Sequence, residues 1–155
     1  MHLTLGHRPR LKNIPKMAAE YDLVVVLLKP TEGTEDLLAH YLAAGLPALH
    51  APFTVGLPNR EPLTWGGCSQ VRQAVTSVSG ALAEGLEVFV HCSAGIHRTG
   101  TFSYAVLRHT GYTQKEALDH IKSLREVTYL GMLPFVKWAE DTLVDPAWVH
   151  DRLEA

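Results

Sequence analysis

Apolar residues along this chain follow two different periods. Leu23-Val24-Val25-Val26-Leu27-Leu28 is an unbroken run of β-branched residues and leucine. A run without alternation reads as a strand covered on both faces, because alternation is needed only where one face meets water. Val88–His91 reads as a strand of the same kind and Ala48–Phe53 as a shorter one, while His2–Leu5 reads as a short edge strand leading into a polar turn with Arg8, Pro9 and Arg10. Between these runs the period lengthens to that of a helix. Leu37, Leu38, Tyr41 and Leu42 follow Thr34, the expected N-cap, and stop before Gly45 and Pro47. Val71, Val75, Val78 and Leu82 share one helical face that Gly85 ends. Leu11–Glu20 is weakly helical and interrupted at Pro15, and Thr54–Gly67 is a loop rich in Pro and Gly.

After Val88–His91 only helical periods remain. Thr99–His109 carries Phe102, Ala105 and Val106 inward. Thr113 and Glu116 form a capping box for a helix through about Arg125, and a last helix is expected from about Pro134 to Val144, with a short tail after Pro146. Strand–helix alternation followed by helices alone predicts an α/β fold, a central mostly parallel sheet flanked by helices. The length of 155 residues suggests a single domain, 1–155, large enough for a proper core.

Composition narrows the function classes. A net charge of −2 gives no basic excess to argue for nucleic-acid or membrane binding. No apolar run approaches a bilayer span, and Met1–Gly6 lacks a signal-peptide profile. Cys68 and Cys92 do not make a disulfide framework. A working thiol prefers a reducing compartment, so the cytoplasm is the expected location. The nine histidines show no paired ligand spacing, so neither metal nor cofactor is expected.

The chemistry concentrates at Val88-Phe89-Val90-His91-Cys92-Ser93-Ala94-Gly95-Ile96-His97-Arg98-Thr99-Gly100. A strand delivers a cysteine, small residues let the backbone curl, and a helix begins near Thr99. Amides turned inward at a helix N-terminus bind a tetrahedral oxyanion. The same field favours the thiolate over a thiol, which is a weak nucleophile in its protonated form. Ser93, Ala94, Gly95, Ile96, His97 and Arg98 are the expected phosphate-binding residues. Arg98 would close the ring with a planar fork that lysine cannot supply. Thr99 could hydrogen-bond the sulfur of Cys92 and help it leave in a second step. His91 reads as an organiser of the loop backbone.

These residues resemble the signature of the protein tyrosine phosphatase superfamily: His-Cys, five residues, Arg, then Ser or Thr. His97 stands where a glycine is common in that family. The His-Arg-Thr-Gly ending is also similar to atypical dual-specificity enzymes of plants and fungi, some of which act on inositol pyrophosphates. The resemblance implies a dual-specificity phosphatase-like fold and hydrolysis of phosphate monoesters through a phosphocysteine. It implies a phosphorylated protein, or a small phosphorylated metabolite such as an inositol phosphate, as substrate, and a monomer. Two other readings stay open, a phosphate-binding pseudophosphatase and a sulfurtransferase of the rhodanese type.

The resemblance also implies a general acid, usually an Asp on a loop upstream of the signature. The segment His50-Ala51-Pro52-Phe53-Thr54-Val55-Gly56-Leu57-Pro58 is similar to that loop, but Val55 stands where the Asp would be. Glu61 is the nearest carboxylate in the loop and the candidate acid, with His97 as a second candidate. Arg125 and Thr128 lie where related enzymes contact the site from a later loop, although Arg125 also suits a helix C-terminus. Arg8 and Arg10 read as solvated, Cys68 as a small core residue, and Trp65, Trp138 and Trp148 as packing residues.

Overall fold

In a computed structural model, residues 2–55 and 69–149 are described. Four strands, β1 (Leu3–Gly6), β2 (Leu23–Val26), β3 (Ala48–His50) and β4 (Val88–His91), form one sheet in the order β1-β4-β2-β3. Every pairing is parallel. Leu5 and Gly6 of β1, and Val25 and Val26 of β2, lie opposite Val90 and His91 of β4. The strand that feeds Cys92 is therefore held on both sides, and Cys92 leaves the sheet at its carboxyl edge, where open α/β sheets bind ligands.

The seven helices among the described residues cover the two faces. Successive strand residues point to opposite sides, so the uninterrupted apolar run of β2 serves two cores at once. Val24, Val26 and Leu28 pack with Ile14 and Met17 of α1 (Ile14–Glu20) and Leu37 and Tyr41 of α2 (Thr34–Ala43). Val25 and Leu27 join Val88 and Val90 in the larger core on the other face, against α3 (Ser69–Ala83) and α4 (His97–His109). Three further helices, α5 (Gln114–Leu124), α6 (Glu126–Met132) and α7 (Val136–Thr142), complete that side.

α4 is buried from Thr99 to His109. It tolerates the buried Arg108 because Glu140 of α7 meets the guanidinium at 2.6 and 3.2 Å, while Tyr112 O accepts at 3.0 Å. The hydroxyl of Tyr104 adds a 2.6 Å bond to Glu140. Buried charges persist only with partners of this kind. No helix among the described residues is long and apolar enough to cross a membrane.

Several sequence expectations need correction. Pro15 does not interrupt a helix; it sits in the first turn of α1, where a missing N–H costs nothing. Thr34 is the first helical residue, not the cap: Gly33 at φ 71° holds the cap position, and Thr34 Oγ1 donates to Lys29 O at 2.6 Å. The third strand is shorter than expected, ending at His50. α4 begins two residues earlier than Thr99, and the last helix is Val136–Thr142 after a 3₁₀ turn at Leu133–Phe135. α6 had no expectation at all. Its buried face is only Thr128 and Met132, too short for a readable period. Trp138 stacks on Phe53 in the core, but Trp148 is 58% exposed against His109. Glu61, Trp65 and Cys68 lie outside the described residues.

Candidate active site

β4 ends at His91, and the chain turns through Cys92–Ile96 into α4. Gly95 makes the turn possible twice over. Its φ is 73°, and a Cβ there would stand 2.2 Å from Gly6 O, so the loop lies directly on the end of β1. Gly100 serves the next step: a Cβ would meet Met132 Cβ at 2.6 Å, so its absence lets α4 seat against α6.

Carbonyl partners orient the loop. Cys92 O accepts from His91 Nδ1 at 3.0 Å and Ser93 O from the Arg8 amide at 2.9 Å. Ala94 O and Gly95 O accept from Arg125 Nη1 at 3.3 and 2.6 Å, and Gly95 O also from Thr128 Oγ1 at 2.5 Å. Four consecutive carbonyls are thus held by groups outside the loop. Among the described residues, the amides of Ser93, Ala94, Gly95 and Ile96 have no acceptor. A peptide plane whose carbonyl is tied to one side presents its N–H to the other, so these amides are available to an anion at the mouth of α4.

Cys92 is 3% exposed and its Sγ accepts from Thr99 Oγ1 at 3.1 Å. The His91 ring is fixed in one tautomer. A carbonyl can only accept, so Nδ1 carries the proton and Nε2 accepts from Tyr41 Oη at 2.9 Å. Burial lowers the His91 pKa to about 4, so the ring is neutral at pH 7 and carries no proton into the reaction. This matches its reading as a loop organiser. Burial also pushes the Tyr41 phenol up, which keeps it a donor.

Arg98 lies in the first turn of α4. Its Nη1 and Nη2 meet the two oxygens of Glu32 at 2.6 and 3.1 Å. Glu32 belongs to the 3₁₀ turn after β2, Pro30–Glu32. Its hydrogen bond with Arg98 holds the carboxyl at about pKa 2, and the same bond raises Arg98 above its usual value. Lys29 N also donates to Glu32 Oε1 at 2.8 Å. The guanidinium of Arg8 hydrogen-bonds Glu32 O, and Gly33 O at 3.3 Å. Arg8 is therefore not the solvated residue its sequence context suggests; it ties the Glu32 turn to the cysteine loop.

The structure brings Cys92, Arg98, Thr99 and the 93–97 backbone together. Arg125 and Thr128 do reach the site, as clamps on its backbone. His97 is exposed at the rim, its ring 5.2 Å from that of Phe135. Val55 packs against the larger core. Glu32, Tyr41 and Arg8 were missed from sequence. The one available signal was Glu32's place in a short turn at the carboxyl end of a buried parallel strand, where such sheets bind ligands.

No family model and no curated protein matches the sequence. Solved structures do match. Tk-PTP in its active form has a TM-score of 0.65 at 22% identity, covering 88% of this chain and 92% of that one. PTPMT1 in complex with PI(5)P has 0.65 at 19% identity, covering 89% and 90%. The core catalytic domain of the PP-IP phosphatase SIW14 from S. cerevisiae has 0.64 at 14% identity, covering 99% and 93%. Placed over nearly their whole length on these proteins, the chain has the fold of the cysteine-based protein tyrosine phosphatases.

Proposed function

We propose that this protein is a cysteine-dependent phosphatase of the protein tyrosine/dual-specificity type. It hydrolyses phosphate monoesters through a phosphocysteine intermediate. The observation that carries the reading is the 3.1 Å bond from Thr99 Oγ1 to Cys92 Sγ, inside a loop whose amides at 93–96 have no acceptor among the described residues and whose arginine is already oriented. Cys92 Sγ attacks phosphorus as the thiolate. The 93–97 amides and Arg98 bind the equatorial oxygens, where charge is held in the transition state. The S–P bond forms as the P–O bond to the leaving group breaks. Water then attacks phosphorus, the S–P bond breaks, and the Thr99 hydroxyl stabilises the departing thiolate.

Leaving-group protonation falls to Glu61 in this reading. Glu32 is excluded from that role, because a carboxyl held at about pKa 2 has no proton to give at neutral pH. A phosphorylated protein is the first substrate class. The second, an inositol phosphate, draws support from two structural neighbours, one a PP-IP phosphatase and one solved with PI(5)P. A monomer in a reducing, cytoplasmic compartment suits the free thiol of Cys92.

Aryl phosphate turnover by wild type and Cys92→Ser, beside vanadate binding by each, tests the assignment. The serine variant should lose turnover by at least about a thousandfold and still bind vanadate, since the amides and Arg98 remain. Retained turnover removes Cys92 as nucleophile, and wild-type inactivity with intact vanadate binding leaves a pseudophosphatase.

A further inference from the structure

The carboxylate that orients Arg98 is itself held by a peptide unit. Glu32 Oε1 meets Arg98 Nη1 at 2.6 Å and accepts from Lys29 N at 2.8 Å. That N–H belongs to the peptide between Leu28 and Lys29, whose carbonyl lies on the opposite edge of the same trans plane. There Leu28 O accepts from His50 Nε2 at 2.6 Å. Leu28 is fully buried and His50 half-buried, so little water competes for that carbonyl. A carbonyl can only accept, so His50 carries a proton on Nε2. The imidazole of His50, the Leu28–Lys29 peptide, the carboxylate of Glu32 and the guanidinium of Arg98 therefore form one chain of hydrogen bonds. Its far end is a fixed point. His50 is the last residue of β3, it lies opposite Val26 of β2, and its carbonyl accepts from Gln70 Nε2 of α3 at 3.1 Å. Different groups hold the rest of the turn: Thr34 Oγ1 donates to Lys29 O at 2.6 Å, and Arg8 donates to Glu32 O.

We propose that His50 is a positioning residue for the phosphatase reaction: its Nε2–H fixes and polarises the Leu28–Lys29 peptide, which holds Glu32 in the plane that orients Arg98. The inference rests on the phosphatase reading and adds a residue to it. Hydrogen bonds in a chain strengthen one another, so a carbonyl that accepts makes the N–H of its own peptide a better donor. The ring of His50 bonds Leu28 O and not the cradle, so whatever it does for the reaction passes through Glu32. Its contribution is then the aim of the guanidinium, which matters equally for every phosphate that the cradle takes.

The test compares His50→Gln with His50→Asn and His50→Leu. A glutamine amide nitrogen can take the place of Nε2 and donate to Leu28 O; that of asparagine falls short, and leucine has no donor. His50→Asn and His50→Leu should each lower kcat/KM on aryl and alkyl phosphates alike by about fivefold, and weaken vanadate binding by as much, the effect of about one net hydrogen bond. His50→Gln should stay within about twofold of wild type on every measure. Urea unfolding shows which variants fold, and either of the two lacking the donor suffices for the comparison. Added to Glu32→Gln, His50→Asn should cost less than about twofold more, because loss of the charged carboxylate has already broken the chain. A glutamine variant as impaired as the asparagine one, wild-type behaviour of the variants lacking the donor, multiplied losses in the Glu32→Gln/His50→Asn pair, or a loss confined to alkyl phosphates overturns the positioning role. Vanadate binding by a wild type that turns over neither substrate instead overturns the phosphatase reading, and the vanadate affinities of the variants then still decide the role of His50.

Discussion

Two glutamates divide the work that one acidic residue name suggests. Glu32 is bonded to both Nη atoms of Arg98 and stays ionised. Its task is orientation: it holds the guanidinium plane so that the remaining donors face the cradle. Glu61 is the proposed proton source. The two roles separate by leaving group. Glu32→Gln should lower kcat/KM on aryl and alkyl phosphates alike, by about tenfold, because a bidentate charged pair becomes a single neutral contact. Glu61→Gln should spare the aryl substrate and slow the alkyl one by about 10²–10⁴-fold, the usual worth of a general acid. Parallel measurement on both substrates checks this. An alkyl-selective loss in the Glu32 variant would contradict its positioning role.

At the scale of elements, the short helix α6 is the back wall of the loop. Thr128 donates to Gly95 O and accepts from Arg125 Nη1, and Met132 fills the space that Gly100 leaves. Thr128→Val keeps the volume and removes the hydroxyl. Gly95 O retains the bond from Arg125, so the stability loss should be about 1 kcal/mol, the net worth of one hydrogen bond. Vanadate affinity should fall further than that, since the loop's carbonyls are what turn its amides inward. Urea unfolding and vanadate titration of the same variant measure both. A stability loss with unchanged vanadate affinity would make α6 a purely structural support.

The whole molecule carries a pH dependence set by its buried histidine. His91 has a pKa of about 4 in the fold against an ordinary 6.5, because burial disfavours its charged form. The folded state binds fewer protons than the unfolded state in that window. The stability from a neutral His91 is therefore fully present above pH 6.5 and lost as pH falls toward 4, by about 3 kcal/mol. Burial also lowers His109, which adds in the same direction. Glu32 acts lower: its contribution is present above its ordinary 4.5 and fades toward about 2. Unfolding free energy measured from pH 7.5 to 4 should fall for wild type, and His91→Asn should flatten much of that slope. An unchanged slope in the variant would assign the acid lability to other groups.

The chemical core and the frame were written locally. Val88–His91, the cysteine loop and the Thr113–Glu116 capping box depend on neighbours in sequence: strand propensity, small residues for a tight turn, a side chain that reaches three residues on. The unalternating run of β-branched residues at Leu23 likewise pointed to a strand covered on both faces, because alternation is needed only where one face meets water. What tertiary structure decided are the partners brought from afar. Glu32 reaches Arg98 across 66 positions and Tyr41 reaches His91 across 50. Both meetings depend on which parallel strands pair and in what register, and no local pattern encodes that. Arg8 and Arg125 were legible as cations and illegible as clamps, since a surface arginine and one that orders a loop differ only in which carbonyls the fold places before them. The sequence by itself placed Cys92 and its loop of small residues between a strand and a helix, because that arrangement needs only residues near one another in the chain. Only the assembled sheet decided what orients them, because orientation at a strand end is set by the elements packed on either side.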